Sequence, residues 1–303
     1  MATPTLAETL KFANLQMAAE ALFGFDANRN PNQAPGDTAS TTGHSIGLIP
    51  IGVLTEGNRH ASKFTQTEAE KFVTQWAVVD HISNTPTGFS GTLFRALKDD
   101  PSQGIVKDQL VLTFRSTEFI DDAARDNEAT NKLEIKEHGW AFGQLSDMEA
   151  WYQSLKVDGV SLSQKQFSVL GYSLAGHLAT AFNLMHGLDS YGGQKLIQNV
   201  VTFNGAGVGK IGDGSLVTTQ VKLPEMIQAF SALRTQAEGP DGLIALLQSD
   251  LGRETYQTLK TQLASGATPG DSHWGYIEMK MALVASTLPF SNEAEDYGLL
   301  SAS

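Results

Sequence analysis

Between residues 166 and 203 the chain passes through a short apolar run ending in glycine, a stretch of small and apolar residues, and a second apolar run. Gln166 to Gly171 and Asn199 to Phe203 have the length and unbroken apolarity of strands covered on both faces. Leu174 to Gly187 reads as the helix between them. The alternation extends upstream, with Phe89 to Leu97 and Gln109 to Phe114 as strands, and Thr117 to Asn131 and Gln144 to Leu155 as helices. Strands alternating with helices imply an α/β protein with a mostly parallel sheet covered by helices.

The flanking segments read as additions to that sheet. Leu6 to Phe23 carries Leu6, Leu10, Ala13, Leu15, Ala18 and Leu22 at helical spacing, a stripe expected to pack on the body of the protein. Asp26 to Gly43, rich in Asn, Pro, Gly, Ser and Thr, is expected to be a loop, and Gln66 to Trp76 a second helix. From Leu223 to Leu263 the spacing is again helical, broken at Glu238-Gly239-Pro240-Asp241-Gly242, as in a helical cap or lid. With no internal repeat, residues 1–303 are expected to form one domain with an N-terminal helical extension over 1–88 and a cap over about 223–263.

Composition narrows the chemistry. Lys and Arg number 21 against 33 Asp and Glu, a net charge of −12, which repels phosphate backbones and argues against nucleic acid as a partner. The absence of cysteine removes disulfides, thiolate nucleophiles and Cys-ligated metals, leaving hydroxyl, amine, carboxylate or imidazole for covalent work. Met1 to Phe25 lacks the basic-then-apolar order of a Sec-type signal, and nowhere do eighteen apolar residues run uninterrupted, so a transmembrane helix is not expected.

Gly171-Tyr172-Ser173-Leu174-Ala175-Gly176 carries the G-x-S-x-G nucleophile pattern in a relaxed form, with Ala175 at the fifth place and glycine following it. Its mechanics demand a strand, a tight turn and a helix, with small residues flanking the serine. The predicted flanks supply all three, so Ser173 is the candidate nucleophile. An acyl-transfer reaction also needs donors for the oxyanion. One is the backbone N–H of Leu174 at the positive end of the helix, and the other is expected from Thr117, just after a buried strand that stops at Arg115-Ser116.

These segments resemble the class 3 lipase family, which includes fungal triacylglycerol lipases. Phe114-Arg115-Ser116-Thr117 is similar to its Phe-Arg-Gly-[Ser/Thr] segment, Gly171 to Ala179 to its elbow, and Val201 to Gly209 to its Thr-Phe-Gly-x-Pro-x-Val-Gly strand end, all in family order. Ser116 stands where the family has glycine, and Ala206-Gly207 replaces its proline region, as in a distant branch close to bacterial secreted lipase-like domains. The resemblance implies an α/β-hydrolase fold, a secreted ester hydrolase, a lipid-like ester as substrate partner, and Thr117 as an oxyanion residue. Cytoplasmic residence is the alternative that the missing signal leaves.

In such folds the triad runs Ser, then Asp or Glu, then His. His177 and His186 lie on the elbow helix and cannot reach back over the serine, which leaves His273, in Pro269-Gly270-Asp271-Ser272-His273, unless the base lies beyond Ser303. For the acid, Asp213, Asp241, Asp250 and Asp271 are open, with Asp241 favoured because the resembled family places its acid about midway between serine and histidine. His44, His60, His81 and His138 form no spaced ligand set, so no cofactor or catalytic metal is expected. Calcium near Asp121-Asp122 and Asp126 is a weaker reading than helix capping. The expected activity is ester hydrolysis through an acyl-enzyme. A polyester hydrolase or peptidase of the same fold, or a non-catalytic lipase-like binding domain, stands as the alternative.

Overall fold

The computed structural model describes residues 5–21, 23, 49–58, 63–82, 85, 87–116, 135, 139–157 and 162–237. Among the described residues five strands form the main sheet: β1 (Trp76–Ile82), β2 (Gly91–Ala96), β3 (Leu110–Phe114), β4 (Phe167–Tyr172) and β7 (Ile197–Phe203), in the spatial order β1-β2-β3-β4-β7. The intervening β5 (Ser190–Tyr191) and β6 (Gln194–Lys195) make a separate exposed hairpin.

The sheet is mixed rather than mostly parallel. β1 with β2 and β2 with β3 pair antiparallel, while β3 with β4 and β4 with β7 pair parallel. Connection length decides this: β1 to β2 and β2 to β3 are joined by short connections of eight and thirteen residues, whereas β4 reaches β7 through helix α5 (Leu174–His186). The expected strand at Phe89 to Leu97 is β2 and that at Gln109 to Phe114 is β3, while β1 has no counterpart in the sequence reading. β1 follows helix α3 (Gln66–Gln75) with no spacer, so Trp76 reads as the helix's last residue, and Asp80 and His81 dilute its apolar signal. The expected helix Thr117 to Asn131 lies outside the described residues.

The chain divides into two compact units: residues 1–85, 89–121 and 150–206, and residues 86–88, 122–149 and 207–303. In the first, one sheet face is covered by α1 (Leu6–Ala19), α2 (Ile51–Glu56) and α3. Phe12, Leu15, Ala18, Phe64, Phe72, Trp76, Val78, Phe94 and Val111 are among its buried core. On the other face Phe182 of α5, fully buried, sits among Phe114, Tyr152 and Phe167 at ring distances of 4.7 to 6.2 Å. Each such aromatic stabilises the fold by about 1.5–3 kcal/mol relative to exposure. A bulge between Val78 and Asp80 breaks the alternation of β1. Asp80 accepts a hydrogen bond from Trp151 Nε1 at 2.7 Å, and Trp151 packs so closely on β2 that a Cβ on Gly91 would lie 2.3 Å from its ring.

The expected apolar stripe of the first helix is buried at Leu15 and Ala18 but not at its start. Leu6 and Leu10 are exposed, while Lys11 and Gln16 are buried beside Phe12 and Leu15. Lys11 keeps its polar tip satisfied by donating to the carbonyl of Gly104 at 2.7 Å. Capping boxes start both α1 and α3, through Thr5 with Glu8 and Thr65 with Glu68, each worth about 1 kcal/mol.

In the second unit Phe142, which opens α4 (Phe142–Leu155), and Phe230, in the second half of α6 (Leu216–Ala237), lie at a ring distance of 6.1 Å. α6 begins seven residues before the expected Leu223, because the Gly212-Asp213-Gly214-Ser215 turn supplies a start the apolar spacing did not show. Of the expected cap, the part after Ala237 lies outside the described residues. No described helix is long and apolar enough to cross a membrane.

His81 on β1 sits edge-on to Phe23 at 5.2 Å, with Nδ1 2.9 Å from Thr92 Oγ1. Burial lowers its pKa to about 3, and the charge of Arg115 pushes the same way. The unfolded histidine titrates near 6.5, so between those values the unfolded chain binds a proton that the folded one does not. Stability is therefore expected to fall as pH drops below about 6.5, with a limiting slope of about 1.4 kcal/mol per pH unit. Glu8, Glu68, Asp100, Asp189 and Asp213 are all held below the usual carboxylate range, so their contributions are lost only at more acid pH. Urea unfolding of wild type and His81→Gln between pH 7 and 4.5 checks this: the variant should show a markedly flatter dependence, and equal slopes would contradict the assignment.

Candidate active site

Ser173 is the residue between the end of β4 and the start of α5. Its backbone has φ 52° and ψ −118°, a conformation that costs a non-glycine residue on the order of 1–3 kcal/mol. Such strain persists only where neighbours fix it, and here they do. The Ser173 amide donates to the carbonyl of Phe203 at 3.0 Å, and its carbonyl accepts from Gly176 at 3.0 Å and from Ala206 at 2.9 Å. The turn is thus held by both the helix that follows and the end of β7.

The strained turn also changes what the hydroxyl does. A serine at a helix N-cap ordinarily accepts a first-turn amide through Oγ, worth about 1 kcal/mol. Ser173 occupies the N-cap of α5 without making that bond. Its side chain is half-buried, beside Tyr172, which is 41% exposed.

Glycines set the tightness of the turn. A Cβ on Gly171 would fall 2.0 Å from the carbonyl oxygen of Ala175, and one on Gly176 would fall 2.5 Å from the Cα of Gly205. Position 175 accepts alanine because the close approach to the segment after β7 is made one residue later, by Gly176 against Gly205. Asn204, immediately after β7, takes φ 45°, a left-handed conformation that asparagine tolerates better than most residues.

The amides of Leu174 and Ala175 open α5 and have no carbonyl four residues back within the helix to bond, so they present partial positive charge beside Ser173. β3 brings a second chain end to this edge. Leu110 pairs with Phe167 and Thr113 with Leu170, an offset of 57 residues. The two strands run parallel into this edge, β3 ending at Phe114 and β4 at Tyr172. Thr117, the expected second oxyanion donor, lies outside the described residues, as do His273, Asp241, Asp250 and Asp271. So do Asp121, Asp122 and Asp126.

Each of the other described candidates is held by its own element. His186 ends α5, twelve residues or about 18 Å along the helix from Leu174, and its Nδ1 lies 3.2 Å from Asp189. His177 is fully buried within α5. His81 is on β1, three strands from β4, roughly 14 Å at ordinary strand spacing. Asp213 belongs to the turn that starts α6. Its Oδ1 accepts the Ser215 amide at 2.8 Å, a bond that holds the exposed carboxyl below its usual range. No group of three or more potential metal ligands occurs among the described residues.

One part of this edge was not anticipated from the sequence. Glu20 and Gln16, both 4% exposed, reach from α1 to the end of β3. Two long polar side chains one helical turn apart on an otherwise apolar face are the signal that could have found them. No family model, no curated protein and no solved structure matches this chain.

Proposed function

We propose that the protein is a serine hydrolase of the α/β-hydrolase fold that cleaves carboxylic esters through an acyl-enzyme, with Ser173 as nucleophile. The observation that carries the reading is the N-cap serine held at φ 52° with its hydroxyl left out of helix capping, between two steric glycines at the carboxyl ends of parallel strands. A serine kept in that conformation stabilises nothing by its side chain. The strain is understandable when Oγ is needed at the site mouth.

In this reading Ser173 Oγ attacks the ester carbonyl, and the Leu174 amide with Thr117 donates to the oxygen that becomes negative. His273 takes the serine proton and returns it to the leaving alcohol, while Asp241 holds the imidazole, with Asp250 and Asp271 as the other acids available. Water then attacks the acyl-enzyme with the same base, releasing the acid and restoring Ser173. Likeness to class 3 lipases points to acyl lipids or similar hydrophobic esters, with residues 223–263 as a cap over the substrate.

Initial rates on p-nitrophenyl esters from acetate to palmitate, beside matched anilides, test this. Ester turnover rising with chain length over the short members and no anilide cleavage is the expected pattern. Anilide cleavage at comparable rates would move the reading to a peptidase, and a folded protein inert to both would favour a binding domain.

A further inference from the structure

We infer that Glu20, from the N-terminal helix, is a positioning residue for the oxyanion donor that follows β3, an inference that rests on the hydrolase reading above. Glu20 is the C-cap residue of α1, and its buried carboxylate receives the amide of Ser116 with both oxygens, at 3.2 and 3.1 Å. Gln16, one turn earlier, donates through Nε2 to Glu20 Oε1 at 2.6 Å and to the carbonyl of Phe114 at 2.9 Å. Asn58 donates to the Glu20 carbonyl at 2.8 Å, fixing the helix end itself. Three successive residues of the strand end, Phe114, Arg115 and Ser116, are thereby buried and bracketed from α1.

The chemistry of the bracket exceeds what a plain staple needs. Taking a carboxylate out of water is costly, and a strand end can be tied by neutral side chains alone. What a carboxylate adds is a two-oxygen cradle with charge-assisted bonds, which fixes the direction of one N–H more firmly than a single amide oxygen does. Peptide groups are planar, so between the clamped Ser116 amide and the Thr117 amide only the φ and ψ of Ser116 remain free. An oxyanion donor must be aimed at the developing charge before reaction, and an error of about 1 Å costs up to about 100-fold in rate. The resembled family has glycine where Ser116 stands, and in this chain the amide at that position is held by an external carboxylate.

The test uses the full chain and the variants Glu20→Gln and Glu20→Asp, assayed for ester hydrolysis and for the rate at which a fluorophosphonate modifies Ser173. For Glu20→Gln, kcat is expected to fall about tenfold or more with KM within about twofold, and phosphonylation to slow in parallel, in protein that is still folded. A structural role alone would lower the melting temperature and leave kcat unchanged in folded protein, and that result overturns the inference while the hydrolase reading stands. A wild-type protein inert to ester and phosphonate overturns both. Amide hydrogen exchange on wild type gives a readout independent of variant folding. The Ser116 amide should exchange at least about 100-fold more slowly than open-loop amides, and exchange at loop rates overturns the clamp.

Discussion

Ser173→Gly should abolish ester hydrolysis and at the same time make the protein more stable. Glycine adopts φ 52°, ψ −118° without a Cβ penalty, which relieves strain of order 1–3 kcal/mol, against roughly 0.5–1 kcal/mol of extra backbone entropy lost on folding. Because Oγ makes no capping bond, nothing is lost there. The net expectation is a gain of about 1 kcal/mol, some 2–4 °C in melting temperature. Ser173→Ala separates the two effects: it removes the hydroxyl but keeps the strain, so stability should stay within about 0.5 kcal/mol of wild type. Both variants should lose at least about 10⁴-fold in kcat. A stability loss in Ser173→Gly would mean that the hydroxyl supports the fold rather than the chemistry.

Gly171→Ala should have the opposite and larger structural effect. The added methyl would lie 2.0 Å from the oxygen and 2.3 Å from the carbonyl carbon of Ala175, and both are backbone atoms of the first turn of α5. Strand end and helix start must separate by more than 1 Å, at a cost of about 3 kcal/mol or more. That movement also re-aims the Leu174 amide relative to Ser173 Oγ, so the folded fraction should lose about 100-fold in kcat. Gly52→Ala in α2 is the control, since no atom lies within 4 Å of the added carbon and alanine favours a helix by about 1 kcal/mol. Thermal unfolding of the two variants side by side should give shifts of opposite sign. A Gly171→Ala protein as stable as wild type would show that the elbow is not sterically closed.

The β-α-β unit was legible because its signals are local: β4, α5 and β7 each have an apolar run of the right length, and the glycine at 171 marks the turn between the first two. The expected burial of Asn199 to Phe203 on both faces does not hold, because β7 ends the order of described strands and leaves Gln198, Asn199 and Thr202 exposed. The strain at Ser173 was implied by the pattern and is borne out by its dihedral angles. β1 was not legible, because Asp80 satisfies its carboxylate with Trp151, a partner 71 residues away. The same holds for α1, where periodicity selected Leu6 and Leu10, while Gln16 and Glu20 are buried because Phe114 and Ser116, 96 to 98 residues downstream, supply their hydrogen bonds. A buried polar group can be recognised only with its partner, and sequence spacing does not show partners that distant. For the histidines of α5 the helix rise places His186 about 18 Å along the axis from Leu174, while His177 is fully buried within the helix.

The central claim, that Ser173 is an activated nucleophile, is tested most directly by treating the folded full-length protein with a fluorophosphonate and mapping the adduct by peptide mass spectrometry. Stoichiometric modification of Ser173, absent from Ser173→Ala and from heat-unfolded protein, is the predicted result. Folded protein that stays unmodified, or that carries the adduct on another residue, would contradict it.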